Sequence, residues 1–153
     1  MDFQKDIRPQ QRFDNFKKSY QLLEKYSSLE LTSEIEKAGL IQFFEITFDL
    51  ALKVLKDYLE AQGYIVKSPR ETIKQAYQME VIDDGHVWIE ALSSRNLTTH
   101  TYDEQFTENL FRIFNKCIFH YSNPYMKNSW RSINYVWVIR KRHGLYIKGI
   151  ETI

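Results

Sequence analysis

A permanent cation, a group that titrates near neutral pH and a phenol lie within eight consecutive positions of this sequence. They are Arg95, His100 and Tyr102, and the polar Asn96, Thr98 and Thr99 lie between the first two. An arginine holds a phosphate through a planar fork of donors and stays charged at any working pH. A histidine gives or takes a proton near neutrality. These residue types suit the binding or the metal-independent cleavage of a phosphodiester, and a helix end with exposed polar side chains is the alternative interpretation.

The motif must be positioned by helices, because apolar residues recur at three- and four-residue spacing through most of the chain. We predict a first helix from about Gln10 to Ser27. A second begins after Thr32 or Ser33, where Ser33 forms a capping-box pattern with Glu36, and it stops at Gly63. The apolar stripe of this second helix is wide, so it should contact several other helices. The stripe comprises Leu40, Ile41, Phe44, Thr47, Phe48, Ala51, Leu52, Leu55, Tyr58 and Leu59.

Three shorter helices follow, and the Arg95 motif lies between the last two. Ser68 and Pro69 open the third helix with a cap and a proline at its first position. Asp83 or Asp84 caps the fourth, and Asp103 precedes the fifth. Short connections favour antiparallel neighbours. The sequence therefore predicts an all-α fold, an antiparallel bundle of four or five helices.

The spacing within the motif requires a break in the helix. Residues five apart on a continuous helix lie about 140° around its axis. Arg95 and His100 would then point in different directions. A break after Asn96 or Leu97 would allow both side chains to converge.

The chain resembles the HEPN family, in the form of its nucleotidyltransferase substrate-binding proteins and small ribonuclease toxins. The signature is Arg-x4-His-x-Tyr, present here as Arg95, His100 and Tyr102. The segments 39–51, 55–59, 68–71 and 83–88 are also similar to that family and occur in the same order. The resemblance covers roughly residues 8–121. It implies a HEPN-like helical bundle over residues 1–121, followed by an atypical extension over residues 122–153.

The resemblance also implies a function and partners. A two-fold homodimer would bring two motifs together, with Arg95 and His100 as catalytic residues and Arg95 and Asn96 binding the phosphate of an RNA. A cognate minimal nucleotidyltransferase, the antitoxin, would adenylylate Tyr102 and so neutralise the toxin. No cofactor and no metal is expected. The alternative is a non-catalytic substrate-binding subunit of a two-component nucleotidyltransferase.

The charge distribution divides the chain. Residues 1–124 contain 15 basic and 19 acidic residues, a charge of −4, whereas residues 125–153 contain 6 basic residues and 1 acidic residue, a charge of +5. Segment 133–150 is aromatic and β-branched around a basic turn, which predicts a weak β-hairpin. This extension departs from the family, and either an altered reading frame or a basic partner-binding arm would account for it.

Composition narrows the class of protein further. The single Cys117 cannot form an internal disulfide. The sequence contains no run of 18 apolar residues, so it predicts no membrane span. The polar N-terminus does not resemble a signal peptide. We therefore expect a cytoplasmic protein without membrane association.

A row of charged residues on the second helix, alternating in sign past Asp49, is a weaker candidate site. Glu45, Asp49, Lys53 and Asp57 recur every four residues. Glu45 and Asp49 could hold a metal ion, but a solvated row of ion pairs is the interpretation that this pattern favours.

Overall fold

Every regular element in the described part of the chain is an α-helix. The structure, a computed structural model, describes residues 3–97 together with Asn109, Arg112, Ile113 and Lys116. The described helices are α1 (Phe3–Ser27), α2 (Glu34–Ala61), α3 (Pro69–Gln78) and α4 (Gly85–Leu97). The four separate positions from 109 to 116 are helical too, where the fifth helix was predicted. The all-α class is confirmed, whereas the hairpin and the domain boundary at 121 lie outside the described residues.

Helix α1 begins earlier than its sequence predicts. It starts at Phe3, not near Gln10, and carries Pro9 in its interior. A proline lacks the N–H that would bond the carbonyl four residues before it, so it is expected in the first turn of a helix. Here the helix continues through the proline on both sides.

Helix α2 begins and ends where the sequence predicts. The Ser33 side chain accepts a hydrogen bond from the Glu36 N–H, while the Glu36 carboxylate accepts one from the Ser33 N–H, which completes the capping box. The bonds that the Glu36 carboxylate accepts from the N–H groups of Ser33 and Thr32 lower the pKa of Glu36, because they favour its charged form. At the other end Gly63 has a φ of 91°, a left-handed conformation that favours glycine and ends the helix.

Side-chain caps also begin α3 and α4. The Ser68 hydroxyl accepts from the Glu71 N–H, and the Glu71 carboxylate accepts from the N–H of Lys67. For α4, the Asp84 carboxylate accepts from the N–H groups of His86 and Val87. Each cap satisfies N–H groups that the first turn of a helix leaves without a partner. The start of α4, and with it the position of its last turn, is thereby fixed.

The core lies where the apolar stripes of the helices meet around α2. Helix α2 packs on α1 and α3, and α3 packs on α4. Ile113 is also buried in this core, so this helical position packs on the same bundle. The predicted stripe of α2 is confirmed by its buried residues Leu40, Phe44, Thr47, Phe48, Ala51, Leu52, Leu55 and Leu59. The other helices contribute the buried residues Phe13, Phe16, Tyr20 and Leu23 of α1 and Val87, Trp88 and Ala91 of α4.

One polar contact crosses the interface between α1 and α2. The hydroxyl oxygens of Ser19 and Thr47 lie 2.6 Å apart, and both residues are buried. The Thr47 hydroxyl also donates to the Phe43 carbonyl at 2.7 Å. Because a threonine has only one hydroxyl proton, Ser19 must be the donor to Thr47. This chain of bonds satisfies both buried hydroxyls and fixes the register of the two helices.

Candidate functional site

Arg95 lies in the last turn of α4 and forms a two-point ion pair with Asp49 of α2. Its Nε donates to Oδ1 of Asp49 at 3.0 Å, and its Nη2 donates to Oδ2 at 2.9 Å. The two parallel bonds use both carboxylate oxygens, so the plane of the guanidinium is defined by the carboxylate. A cation in the last turn of a helix is also favoured by the helix dipole.

Aromatic packing brings the two charged residues together. Phe48 precedes Asp49 on α2, and its ring lies 5.5 Å from that of Trp88 on α4, between ring centres. Trp88 lies seven residues before Arg95, which is about two helical turns. Because Phe48 and Trp88 are both buried, this contact sets how α4 crosses α2. The adjacent Asp49 then meets the end of α4 at the edge of the core.

The site is accessible from solvent and carries both signs of charge. The side chains of Arg95 and Asp49 are 28% and 39% exposed. The hydrogen bonds that Arg95 donates to Asp49 raise the pKa of Arg95, desolvation opposes the shift, and the charges of Asp49 and Glu45 reinforce it. Arg95 is therefore cationic at any working pH, and its partner carboxylates reduce the positive potential that an approaching phosphate would meet.

The structure describes only part of the predicted motif. Arg95 and Asn96 lie in the last turn of α4, which ends at Leu97, and Asn96 is exposed. His100 and Tyr102 lie outside the described residues. The convergence of Arg95 and His100 therefore stays a prediction.

The interpretation of the α2 charges as a solvated row of ion pairs is wrong for its two aspartates. Asp49 pairs with Arg95 of α4, and Asp57 accepts from Nη1 of Arg12 in α1 at 2.7 Å. Each aspartate thus bonds to another helix. The physical reason is that both lie at the edge of the apolar stripe, where an arginine from a neighbouring helix reaches them. In the alternative metal pair Glu45–Asp49, both oxygens of Asp49 accept hydrogen bonds from Arg95.

Sequence reasoning named Asp49 only as a possible metal ligand and missed its pairing with Arg95. The signal was its position directly after Phe48, a residue of the core-facing stripe, and not its four-residue spacing from other charges. An acid beside the core-facing stripe of a central helix reaches neighbouring helices more readily than one on the opposite face.

Comparison with known proteins agrees with this all-helical arrangement. Residues 11–128 match the family described as nucleotidyltransferase substrate binding protein like. The chain belongs to this family, which is HEPN-like, so the predicted resemblance is confirmed. None of the helices in the described part of the chain has the length and apolar character needed to cross a membrane.

Two individual proteins are similar to the chain. It is 31% identical over 78 residues to "Probable ribonuclease HepT" of Haemophilus influenzae, an alignment that covers 44% of this chain and 50% of the relative. The chain thus matches about half the length of that curated relative. A crystal structure of a Thermus thermophilus protein superposes with a TM-score of 0.62 at 26% identity, covering 80% of this chain and 98% of the other.

Proposed function

We propose that the protein is a metal-independent ribonuclease, the toxin of a toxin–antitoxin pair whose antitoxin is a nucleotidyltransferase. The observation that carries this proposal is the partly exposed Arg95 guanidinium, fixed at the end of α4 by Asp49 and five residues before His100. The similarity to a protein named as a probable ribonuclease supports it. We place the protein in the cytoplasm, where its RNA substrate is found.

In this proposal, His100 and Arg95 divide the chemistry between them. His100 takes the proton from a ribose 2′-OH, whose oxygen attacks the adjacent phosphorus. The bond from phosphorus to the 5′-oxygen breaks, and that oxygen takes a proton from an imidazolium. The products are a 2′,3′-cyclic phosphate and a 5′-OH. Arg95 stabilises the additional negative charge at phosphorus, and Asn96 binds the phosphate.

A homodimer would complete the site. One motif supplies one imidazole, whereas the reaction needs both a base and an acid. A two-fold interface would place two Arg95 and two His100 side chains around one cleft. The second His100 would then protonate the leaving oxygen.

Initial rates of RNA cleavage in EDTA test the proposed activity. We expect the wild type to cleave RNA, and Arg95→Ala and His100→Ala to lose about 10²-fold or more in rate, as for removal of a stabilising donor or an acid–base group. Each variant should keep the helical circular dichroism of the wild type. Retention of full activity by both variants would contradict the assignment.

Tyr102 is the proposed point of control. A partner nucleotidyltransferase would transfer AMP from ATP to the Tyr102 hydroxyl and release pyrophosphate. The added phosphate would carry negative charge two positions after His100 and seven after Arg95, in the cleft that must bind an RNA phosphate. Modification would therefore block RNA binding.

Intact mass after co-expression with the partner nucleotidyltransferase tests this control. We expect the wild type to gain the mass of one or more AMP groups and Tyr102→Phe to gain none. An unchanged mass of the wild type would contradict the proposed modification.

A second function is compatible with the family description. A substrate-binding subunit would use Arg95 to hold a phosphate and present it to a separate nucleotidyltransferase, without cleavage. Binding but no cleavage of RNA by a dimeric, unmodified wild type would favour this alternative.

A further inference from the structure

We propose that Asp49 is a positioning residue for Arg95, one that lowers the affinity for RNA while it raises the rate of cleavage. This inference rests on the proposed ribonuclease function and deepens it. The two-point pair of Asp49 with Arg95 is the observation from which it starts.

The geometry of the pair fixes the direction of the guanidinium. Asp49 engages Nε and Nη2, the two donors on one edge of the planar group. An arginine side chain has many rotamers, and a transition state is stabilised only if the donor is already in place. With the Nε–Nη2 edge held on α2, the plane and the Nη1 direction of Arg95 are set before the substrate binds.

The negative charge beside Arg95 opposes the binding of RNA. Asp49 places its carboxylate in direct contact with Arg95, and the charge of Glu45, one turn earlier on α2, also acts on the Arg95 pKa. RNA phosphates are repelled by carboxylates as strongly as they are attracted by a cation at the same distance. Asp49 therefore weakens the initial attraction of RNA even as it orients the group that acts in the transition state.

Because Asp49 is partly exposed, the effect of its substitution on catalysis can be separated from an effect on folding. The Asp49 side chain is 39% exposed, and an ion pair in contact with solvent contributes little to stability. Asp57 is a matched control, because it lies on the same helix and also bonds an arginine of another helix, Arg12. It lies eight residues from Asp49, about 12 Å along the helix axis.

The test compares steady-state cleavage of an oligoribonucleotide by the full-length wild type and four variants in EDTA. For Asp49→Asn we expect a fall in kcat of about tenfold or more with a KM that is unchanged or lower, the pattern for loss of a contribution made only in the transition state. Asp49→Glu keeps the carboxylate and should recover part of kcat. Asp57→Asn should match the wild type, and Arg95→Ala should lose activity.

A second readout reports the pair directly. The Nε–H proton of Arg95, followed by NMR of 15N-labelled protein, should exchange with water faster in Asp49→Asn than in the wild type or Asp57→Asn. Thermal unfolding establishes that each variant is folded.

The outcomes distinguish the two proposals. Wild-type cleavage with an undiminished kcat for Asp49→Asn would overturn the positioning role and leave the ribonuclease function intact. An equal loss of kcat in Asp57→Asn would overturn it too. So would a lower kcat/KM of Asp49→Asn that comes from a higher KM alone. Absence of cleavage by the wild type would overturn the ribonuclease function itself.

Discussion

For the buried hydroxyls of Ser19 and Thr47, the stability cost of removing one depends on whether the other is left without a hydrogen-bond partner. Ser19 donates to Thr47, which donates to the Phe43 carbonyl. Loss of a donor removes one bond, worth about 1 kcal/mol, whereas loss of an acceptor leaves a buried donor unsatisfied at a cost of about 1–3 kcal/mol. The direction of the chain of bonds therefore decides which substitution is worse.

We expect Thr47→Val to lower the free energy of unfolding more than Ser19→Ala does. In Thr47→Val the buried Ser19 hydroxyl loses its acceptor, and the double variant should be more stable than Thr47→Val alone, because it removes that donor as well. Urea denaturation of the three variants and the wild type measures this order. A larger loss for Ser19→Ala would contradict the assigned direction of the bonds.

At the candidate site, sequence alone singled out Arg95 as a candidate catalytic residue but did not predict the residue that pairs with it. Arg95 was recognisable from its type and its spacing to His100 and Tyr102. The pair with Asp49 spans 46 positions and depends on how α4 crosses α2. Local spacing contains no information on that crossing, and so the charges on α2 suggested a row within one helix.

At the scale of elements, the contact of α1 with α2 contains a carboxylate, Asp57, whose burial costs free energy. The Asp57 side chain is 10% exposed, and its Oδ2 is buried with no hydrogen-bond partner among the described residues. Burial raises the pKa of Asp57, while the hydrogen bond and the charge of Arg12 oppose the shift. The folded environment thus disfavours the carboxylate despite its ion pair, as is common for buried pairs.

The raised pKa predicts how Asp57 affects stability with pH. The folded protein binds the Asp57 proton more tightly than the unfolded protein does. Asp57 therefore contributes most to the free energy of unfolding when it is protonated. That contribution is lost as pH rises from the ordinary value of 3.8 through the raised folded value. Relative to the wild type, Asp57→Asn should therefore gain stability as the pH rises from 3.8 through the raised pKa of folded Asp57.

Urea denaturation of Asp57→Asn and the wild type at several pH values in this range measures the difference. We expect it to grow in favour of the variant as pH rises. A difference that grows in favour of the wild type would show that Arg12 stabilises the carboxylate by more than burial costs, and would contradict the raised pKa.

The bounds of the helices were predictable from the sequence where capping residues and glycine or proline determine them. The Ser33 capping box, the Gly63 stop and the Ser68–Pro69 start gave the bounds of α2 and the start of α3, because each acts within one turn. The start of α1 was not predictable in the same way. It was predicted near Gln10, yet the helix extends through Pro9 to Phe3, since a missing hydrogen bond weakens a helix without always ending it.

At the scale of the whole molecule, the bundle places a cation at an accessible edge without exposing the core. Helix α2 contacts α1 and α3, and its Phe48 and Asp49 meet α4 through one aromatic and one ionic contact. The all-α class followed from periodicity, and the family followed from ordered motifs along the chain. The division of the chain at residue 121 and the dimer stay predictions.

The central claim is that the Arg95 and His100 motif cleaves RNA by attack of a ribose 2′-OH without a metal. Mass analysis of the products of one oligoribonucleotide in EDTA tests it most directly, beside the same oligonucleotide with 2′-deoxyribose throughout. The account predicts fragments that end in a 2′,3′-cyclic phosphate from the ribose substrate and intact deoxyribose substrate, with His100→Ala inactive on both. Cleavage of the deoxyribose oligonucleotide, or fragments that end in a 3′-OH, would contradict it.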